Sequence, residues 1–403
     1  MSLARDASLS SISAEESLKP SATARFYLPE LDVLRFFAFF GTFVFHLPIA
    51  GMWFFWRYGV LGDLGIAGTF GVDLFFTLSG FLITSLLLRE RDETGDINLK
   101  AFYARRTLRI WPLYYFVIGL TFILTQIPAS VISAPLWGNM FPPMQASIYL
   151  FLAIFLFNFD FGSLASTGRY PVMFPLWSIS VEEQFYLFWP WVARYLPRNR
   201  IVFAPLLMLA IAAVAHMLSL PLKLGFNNTF NRLDPIAIGI LLALLPKVVL
   251  RLPMRLILIA FAIGCWLIAV RYCSMPLQVS TPGLVIGIPL VAFGSGAIVL
   301  AFIGLQAFRS GSAVVRGLVY LGKISYGLYV YNPIARTAGY LLLLKGGLKT
   351  VALAGWPEWT AWTAYVVFVF GLNVAMAAAS YRWLEAPFLR LKEKFARVPS
   401  RAV

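Results

Sequence analysis

The chain has 403 residues, of which 60% are hydrophobic and only 13% charged, against roughly 25% in an ordinary soluble domain. A soluble protein of this size still needs a charged surface, and this composition cannot supply one. That excludes a soluble enzyme, a disordered chain and a disulfide scaffold, and leaves an all-α polytopic membrane protein.

Residues 1–26 are rich in Ser and Ala and balanced in charge, which reads as a disordered cytoplasmic tail. They lack the basic start, apolar centre and small-residue cleavage site of a signal peptide. Ten apolar stretches follow, near 31–50, 66–88, 107–125, 145–158, 201–220, 232–247, 255–272, 283–306, 322–343 and 360–382. Most reach the roughly 17–25 residues that cross a bilayer as a helix. The fourth and sixth are short. A further stretch, 174–193, carries Glu182 and Glu183 and is an eleventh span, a re-entrant segment or an interfacial one. The runs are continuous rather than alternating, unlike an outer-membrane barrel. Residues 27–388 are thus expected to form one membrane domain, with 389–403 a basic cytoplasmic tail.

The net charge of +15 follows topology rather than nucleic-acid binding. With a cytoplasmic N-terminus and alternating spans, the tail through Arg35 and segments 89–109, 194–200, 247–255, 309–323 and 382–403 all lie inside. They hold 25 of the 33 Lys and Arg residues, and the opposite loop 126–144 has no charge. This is the positive-inside asymmetry. The C-terminal Arg390, Lys392, Lys394, Arg397 and Arg401 are expected against anionic headgroups. The two cysteines, Cys265 and Cys273, have no disulfide-framework or zinc spacing, and no metal site is expected.

Polar residues inside apolar runs are costly unless paired, so each is a functional candidate. In the first span Arg35 and His46 are eleven residues apart, on one helix face and about 16 Å apart along the axis. The pair suits a long anionic ligand with its charge at Arg35 and its reactive end near His46. It equally suits a snorkelling Arg35 and a His46 satisfied by a carbonyl. Asp73, in the Phe-rich second span, is expected at a depth near His46, where it would fix the imidazole tautomer. Ser79-Gly80 reads as a small-residue packing face rather than a nucleophile. Arg105, Arg106 and Arg109 can share a face at the start of the third span, where free N–H groups favour anions. They fit phosphate oxygens, or lipid headgroups. In Trp177-Ser-Ile-Ser-Val-Glu182-Glu183-Gln-Phe-Tyr186, Glu182 and Tyr186 are helical neighbours that could bind sugar hydroxyls, pair an arginine or cap an interfacial helix. Arg232, Asp234, Ser325-Tyr326, Asn332, and Arg382 with Glu385 are further polar groups at span ends, and His216 reads as a packing residue.

Taken in order, these clusters resemble the acyltransferase-3 family of integral-membrane O-acyltransferases. The signs are Arg35-x10-His46, Val-Asp73-Leu-Phe-Phe with Ser79-Gly-Phe-Leu, and Phe-Tyr-Ala-Arg105-Arg106-x-x-Arg109-Ile-x-Pro-Leu-Tyr. To these add Leu-Trp177-Ser-Ile-Ser-Val-Glu182-Glu-Gln-Phe-Tyr-Leu, Arg232-Leu-Asp, Gly-Lys-Ile-Ser325-Tyr-Gly-Leu-Tyr and Tyr381-Arg-Trp-Leu-Glu385-Ala-Pro-Phe. Seven motifs span residues 29–388.

The resemblance implies transfer of an acyl group, usually acetyl, from cytosolic acetyl-CoA to a hydroxyl of a carbohydrate or glycosylated metabolite. It implies no metal and no nucleic-acid partner, a bacterial inner membrane, and both termini in the cytoplasm. His46 and Arg35 match the signature pair, Arg106 and Arg109 the RxxR element, and Glu182 the acidic position. Asn332 stands where the family usually has a histidine before Pro333. Some relatives carry an added extracytoplasmic esterase-like domain, which is not expected here.

Residues and resemblance together give one expected mechanism. Coenzyme A phosphates dock on Arg105, Arg106, Arg109 and Arg35, and His46 is the general base beside Asp73. Glu182, Glu183, Trp177, Tyr186, Arg232 and Asn332 line the acceptor side. A polytopic transporter and a non-catalytic scaffold of polysaccharide assembly are the alternatives. The acceptor, acyl length and oligomeric state stay open.

Overall fold

A computed structural model describes residues 27–47, 65–125, 175–219, 227–246, 249–272, 282–309, 311–339 and 358–395, with Pro221 and 342–343. The described residues form helices and no strand, as expected for an all-α membrane protein.

The first helix, α1 (Pro29–Phe45), opens with Pro at its start and Glu30 and Asp32 in its first turn. A fixed proline φ and early carboxylates both suit a helix N-terminus. A short 3-10 turn (Gly68–Phe70) leads into α2 (Gly71–Thr94), which stops at Gly95 in the left-handed region, φ 78°. Glycine adopts that conformation without a Cβ penalty. Next come α3 (Leu99–Thr125), α4 (Leu176–Tyr195) and α5 (Phe203–Leu218). A 3-10 turn (Thr229–Arg232) precedes α6 (Leu233–Leu244), then α7 (Leu252–Tyr272) and, after a π-turn, α8 (Ile288–Phe302). The expected span at 322–343 is observed as two helices, α9 (Ala313–Lys323) and α10 (Ser325–Gly339). Helix α11 (Glu358–Ser380) continues through a π-turn into α12 (Ala386–Glu393).

By length and composition, four described segments are able to cross a membrane: Gly65–Thr94, Leu252–Tyr272, Gly283–Phe302 and Thr363–Glu393. This is fewer than the ten spans expected. The helices at the expected spans 31–50, 201–220 and 232–247 have 17, 16 and 12 residues. The stretches 126–144 and 145–158, the tail 1–26, Cys273, and Arg397 and Arg401 lie outside the described residues. The uncertain stretch 174–193 is a continuous helix of 20 residues, about 30 Å long and so long enough to span.

Helix α2 is central and packs on α6, α1, α8 and α4. It crosses α6 closely, where a Cβ on Gly80 would collide with the Ile236 carbonyl and one on Gly239 with the Thr77 carbonyl. Two glycines thus let the backbones touch, as small residues do in membrane helices. This agrees with the packing role expected for Ser79-Gly80. Around it lies an aromatic and aliphatic core that includes Phe76, Leu113, Trp177, Val181 and Ile240.

The basic segments gather at one end of the bundle. Arg91 donates to the carbonyls of Ala193 (2.6 Å) and Leu196 (3.0 Å), tying the end of α2 to that of α4. Arg194 pairs with Asp96 at 2.7 Å, and Arg198 with Asp92 at 2.7 Å. The Gly304 N–H donates to Glu30 Oε1 (2.8 Å), and Arg255 donates to the carbonyls of Ala301 and Ile303, which brings in α1, α7 and α8. This charged end fixes the vertical reference for the site.

Candidate functional site

A cleft opens at the charged end between α1, α2, α3, α4 and α12. Four cations line it: Arg35, Arg106, Arg109 and Lys392. Asp32, Tyr27, Ser79 and Tyr186 complete its polar wall, and Leu82, Ile83 and Leu86 make an apolar one. About 80 Å³ of free space lies within, room for a phosphate group or a narrow chain rather than a whole nucleotide.

The local sequence explains how the cations converge. Phe102, Arg106 and Arg109 stand at i, i+4 and i+7 on α3, one face of a helix. The Arg106 guanidinium lies over the rings of Phe102 (5.8 Å) and Tyr186 (5.7 Å), and its Nε has no hydrogen-bond partner among the described residues. Arg35 Nη1 meets Asp32 Oδ1 at 3.3 Å, and Tyr27 donates to the other oxygen at 3.1 Å. Lys392, expected against headgroups, is instead buried in this wall.

Arg105 does not join the expected trio. It pairs with Glu90 at 2.9 Å and donates to the Phe395 carbonyl at 2.7 Å. The physical reason is Glu90: its carboxylate is buried and needs a cation, because an unpaired buried charge is very costly. Arg105 and Arg106 are about 100° apart around α3, so one can face Glu90 while the other faces the cleft.

On the inner wall, the Tyr186 hydroxyl donates to Glu182 Oε2 at 2.7 Å and lies 2.6 Å from Ser79 Oγ. The expected i,i+4 pair is therefore real, and Ser79 joins it from α2. Glu183 points to another side of α4, beside Trp111. One turn deeper, Ser178 Oγ lies 3.0 Å from the Tyr329 hydroxyl of α10. Tyr329, Asn332 and Arg336 follow at i, i+3 and i+7, so they form a polar stripe along α10. Asn332 is buried, and its Oδ1 has no partner among the described residues. At the far end of the stripe, Arg336 donates to the backbone carbonyl of His46.

His46 closes α1 at the end opposite the cleft, about 16 Å along the axis from Arg35. Its Nδ1 is 2.7 Å from the Thr42 carbonyl. A carbonyl can only accept, so Nδ1 carries the proton and Nε2 keeps the lone pair. The tautomer is thus set by a backbone oxygen one turn earlier, not by Asp73. The Asp73 carboxylate instead takes Arg232 Nη1 at 3.0 Å, with both side chains buried. A guanidinium arriving from the turn before α6 outbids an imidazole for a buried carboxylate, since it is always charged. Arg232 also lies over the Trp177 ring at 5.6 Å, and Phe76 meets that ring edge-on. Trp177 and Arg232, expected at the acceptor, thus belong to one buried packing unit with Asp73. His216 sits in the neighbouring cluster, its Nε2 3.3 Å from the Asn231 carbonyl and 3.6 Å from Asp234 Oδ1.

The structure therefore brings Arg35, Arg106, Arg109, Tyr186 and Glu182 together. Arg105, Asp73, Trp177 and Arg232 stand apart from the cleft, and Asn332 and His46 stand above it. Sequence reasoning missed Ser79 as a partner of Tyr186, Lys392 in the cleft, and the stripe that ends on Arg336. Only the stripe had a readable signal, its i, i+3, i+7 spacing. Among the described residues no group of three or more His, Cys, Asp or Glu side chains is placed to hold a metal ion.

Comparison with known proteins finds relatives over most of the chain. The family model for the acyltransferase domain, acyltransferase-3, matches residues 28–378. "O-acetyltransferase OatA" of Staphylococcus aureus is 27% identical over 391 residues, 93% of this chain and 59% of that protein. "Putative peptidoglycan O-acetyltransferase YrhL" of Bacillus subtilis is 30% identical over 326 residues, 76% of this chain and 48% of that protein. The chain thus spans about half to three fifths of the length of these relatives. No solved structure matches it. A helical membrane bundle with the arginine cleft at one end, and a match over most of its length, make the chain a member of the acyltransferase-3 family.

Proposed function

We propose that the protein is a bacterial inner-membrane O-acetyltransferase. It takes an acetyl group from acetyl-CoA at the charged, cytoplasmic end and moves it to a carbohydrate hydroxyl at the other. The relatives' names point to peptidoglycan as the acceptor. The observation that carries the reading is the cleft, where three guanidinium groups and one ammonium surround a space of phosphate size. Arginine forks match phosphate oxygens in number and direction.

The phosphates of the donor rest on Arg35, Arg106, Arg109 and Lys392. The pantetheine arm runs along the polar stripe of α10, past Tyr329 and Asn332, over a length comparable to the rise from Arg35 to His46. The amide-bearing arm suits the unpartnered Asn332 Oδ1, which needs a donor. At the far end His46 Nε2 takes the proton of the attacking hydroxyl. The hydroxyl oxygen bonds to the thioester carbon, and the tetrahedral oxyanion faces the Arg336 cation. The carbon–sulfur bond then breaks, and the coenzyme A thiolate recovers the proton from His46. Thr42 holds the imidazolium through the Nδ1 proton. The hydroxyl chain of Ser79, Tyr186 and Glu182 holds the inner wall of the cleft in place.

The divided arginine trio supplies a test. Arg106→Ala and Arg109→Ala are expected to raise the KM for acetyl-CoA about 10- to 100-fold each, since hydrogen bonds to charged groups are worth ~1.5–3 kcal/mol. Arg105→Ala is expected to leave that KM within about twofold and to lower thermal stability in detergent. Equal KM effects from all three would remove the distinction and the donor site with it.

A further inference from the structure

A second recess lies at the charged end but on the outside of the bundle. It is lined by the outer face of α6, by α8, and by Ile201 and Val202 of the turn that leads into α5. Ile238 and Leu241 of α6 face Phe293, Ala297 and Leu300 of α8 across it, and Arg198 stands at its mouth. Its volume is about 610 Å³, within the range of small-molecule sites. None of these residues lines the arginine cleft.

Its surroundings define its solvent. Along α5, Phe203, Leu207, Val214 and Met217 are exposed, as are Leu245 at the end of α6 and Phe293 on α8. Large apolar side chains on both sides of a recess in a membrane bundle face hydrocarbon. Where Ile238 packs onto Gly296, α6 and α8 meet and close the recess at that end. It follows α6 from Ile238 to Leu245, about 10 Å by helix rise.

The mouth is cationic and has spare donors. Arg198 uses one nitrogen, Nη1, for both oxygens of Asp92, at 2.7 and 2.9 Å. Its Nε and Nη2 make no hydrogen bond among the described residues. Arg200 follows in the same tight turn, closed by Arg200 N–H to the Pro197 carbonyl at 2.9 Å, and its exposed side chain has no partner among the described residues. The Asp92 carboxylate lowers the local charge without removing it. A guanidinium at the edge of an apolar recess, with a second arginine two residues on in the same turn, complements a phosphodiester carried on acyl chains.

We propose that this recess is a binding site for one anionic phospholipid of the surrounding bilayer. One acyl chain lies between α6 and α8, and the headgroup phosphate rests on Arg198 and Arg200. The lipid fills a gap in the outer surface of α6, the helix whose inner surface is locked onto α2 at Gly80 and Gly239.

The test is native mass spectrometry of the full chain in detergent, after incubation with equal amounts of phosphatidylglycerol and phosphatidylcholine of the same acyl chains. The wild-type protein should retain one phosphatidylglycerol in at least tenfold preference. Ala297→Phe and Leu241→Trp each fill the recess and should lower that retention at least tenfold. Arg198→Gln with Arg200→Gln should bring phosphatidylglycerol down to the level of phosphatidylcholine. Two filling variants are used so that one elutes as a single folded species. Equal retention by the wild-type and filled proteins, or no preference between the two lipids, would overturn the proposal.

Discussion

Replacing His46 with alanine is expected to remove nearly all acyl transfer while leaving donor binding intact. A positioned general base contributes roughly 10²–10⁴-fold to such a reaction. The loss should fall on kcat, because His46 lies about 16 Å from the cleft that holds the phosphates. The KM for acetyl-CoA should move less than threefold. Glutamine at the same position keeps a polar group of similar reach but has no proton-accepting nitrogen, and it should be as inactive as alanine. The measurement is initial rate against acetyl-CoA concentration in membranes containing each variant. A variant with wild-type kcat would show that the imidazole is a packing group satisfied by Thr42, the other reading its surroundings allow.

The second large effect is structural. Asp73→Ala is expected to cut the yield of folded protein sharply, because it leaves the Arg232 guanidinium without its carboxylate in a buried setting. Breaking a buried pair by removing one partner costs about 3–5 kcal/mol, a large share of the stability of a typical protein. Replacing both partners with apolar residues is often nearly neutral. The double variant Asp73→Ala with Arg232→Met should therefore recover much of what the single variant loses. Thermal unfolding and single-species elution in detergent measure both. If Asp73→Ala folds as well as the wild type and loses only activity, then Asp73 serves the reaction directly, as its place in the sequence first suggested.

These two residues show where sequence reading reaches its limit. The membrane class, the gathering of basic segments at one end and the close packing at Gly80 all follow from composition and local spacing. So do the pairing of Glu182 with Tyr186 and the approach of Arg106 and Arg109, because helical periodicity fixes them. Partners brought from far along the chain do not follow. Asp73 and Arg232 are 159 residues apart, and nothing local in either segment names the other. Arg105 looks equivalent to Arg106 by spacing, yet the buried Glu90 takes it. For the His46 tautomer the sequence points to a carboxylate, because side chains are legible in it, whereas a backbone carbonyl such as that of Thr42 is common to every helical position and singles out none. Arg336 is hidden for a related reason. At the end of an apolar helix an arginine reads as orientation, and only the fold shows it against His46.

The layout also bears on chemistry versus transport. A charged cleft at one end and a histidine at the other, joined by a polar stripe, could serve a ligand that passes through as well as one that reacts. The difference lies in what leaves the far end.

The most direct test uses proteoliposomes with the protein in one orientation, acetyl-labelled CoA on the side of the charged cleft and a peptidoglycan fragment on the other. Label is expected on the fragment, with none as intact acetyl-CoA beyond the membrane and no labelled product with His46→Ala. Intact acetyl-CoA accumulating across the membrane, or product formed only when donor and acceptor share one side, would overturn acetyl transfer through the bundle.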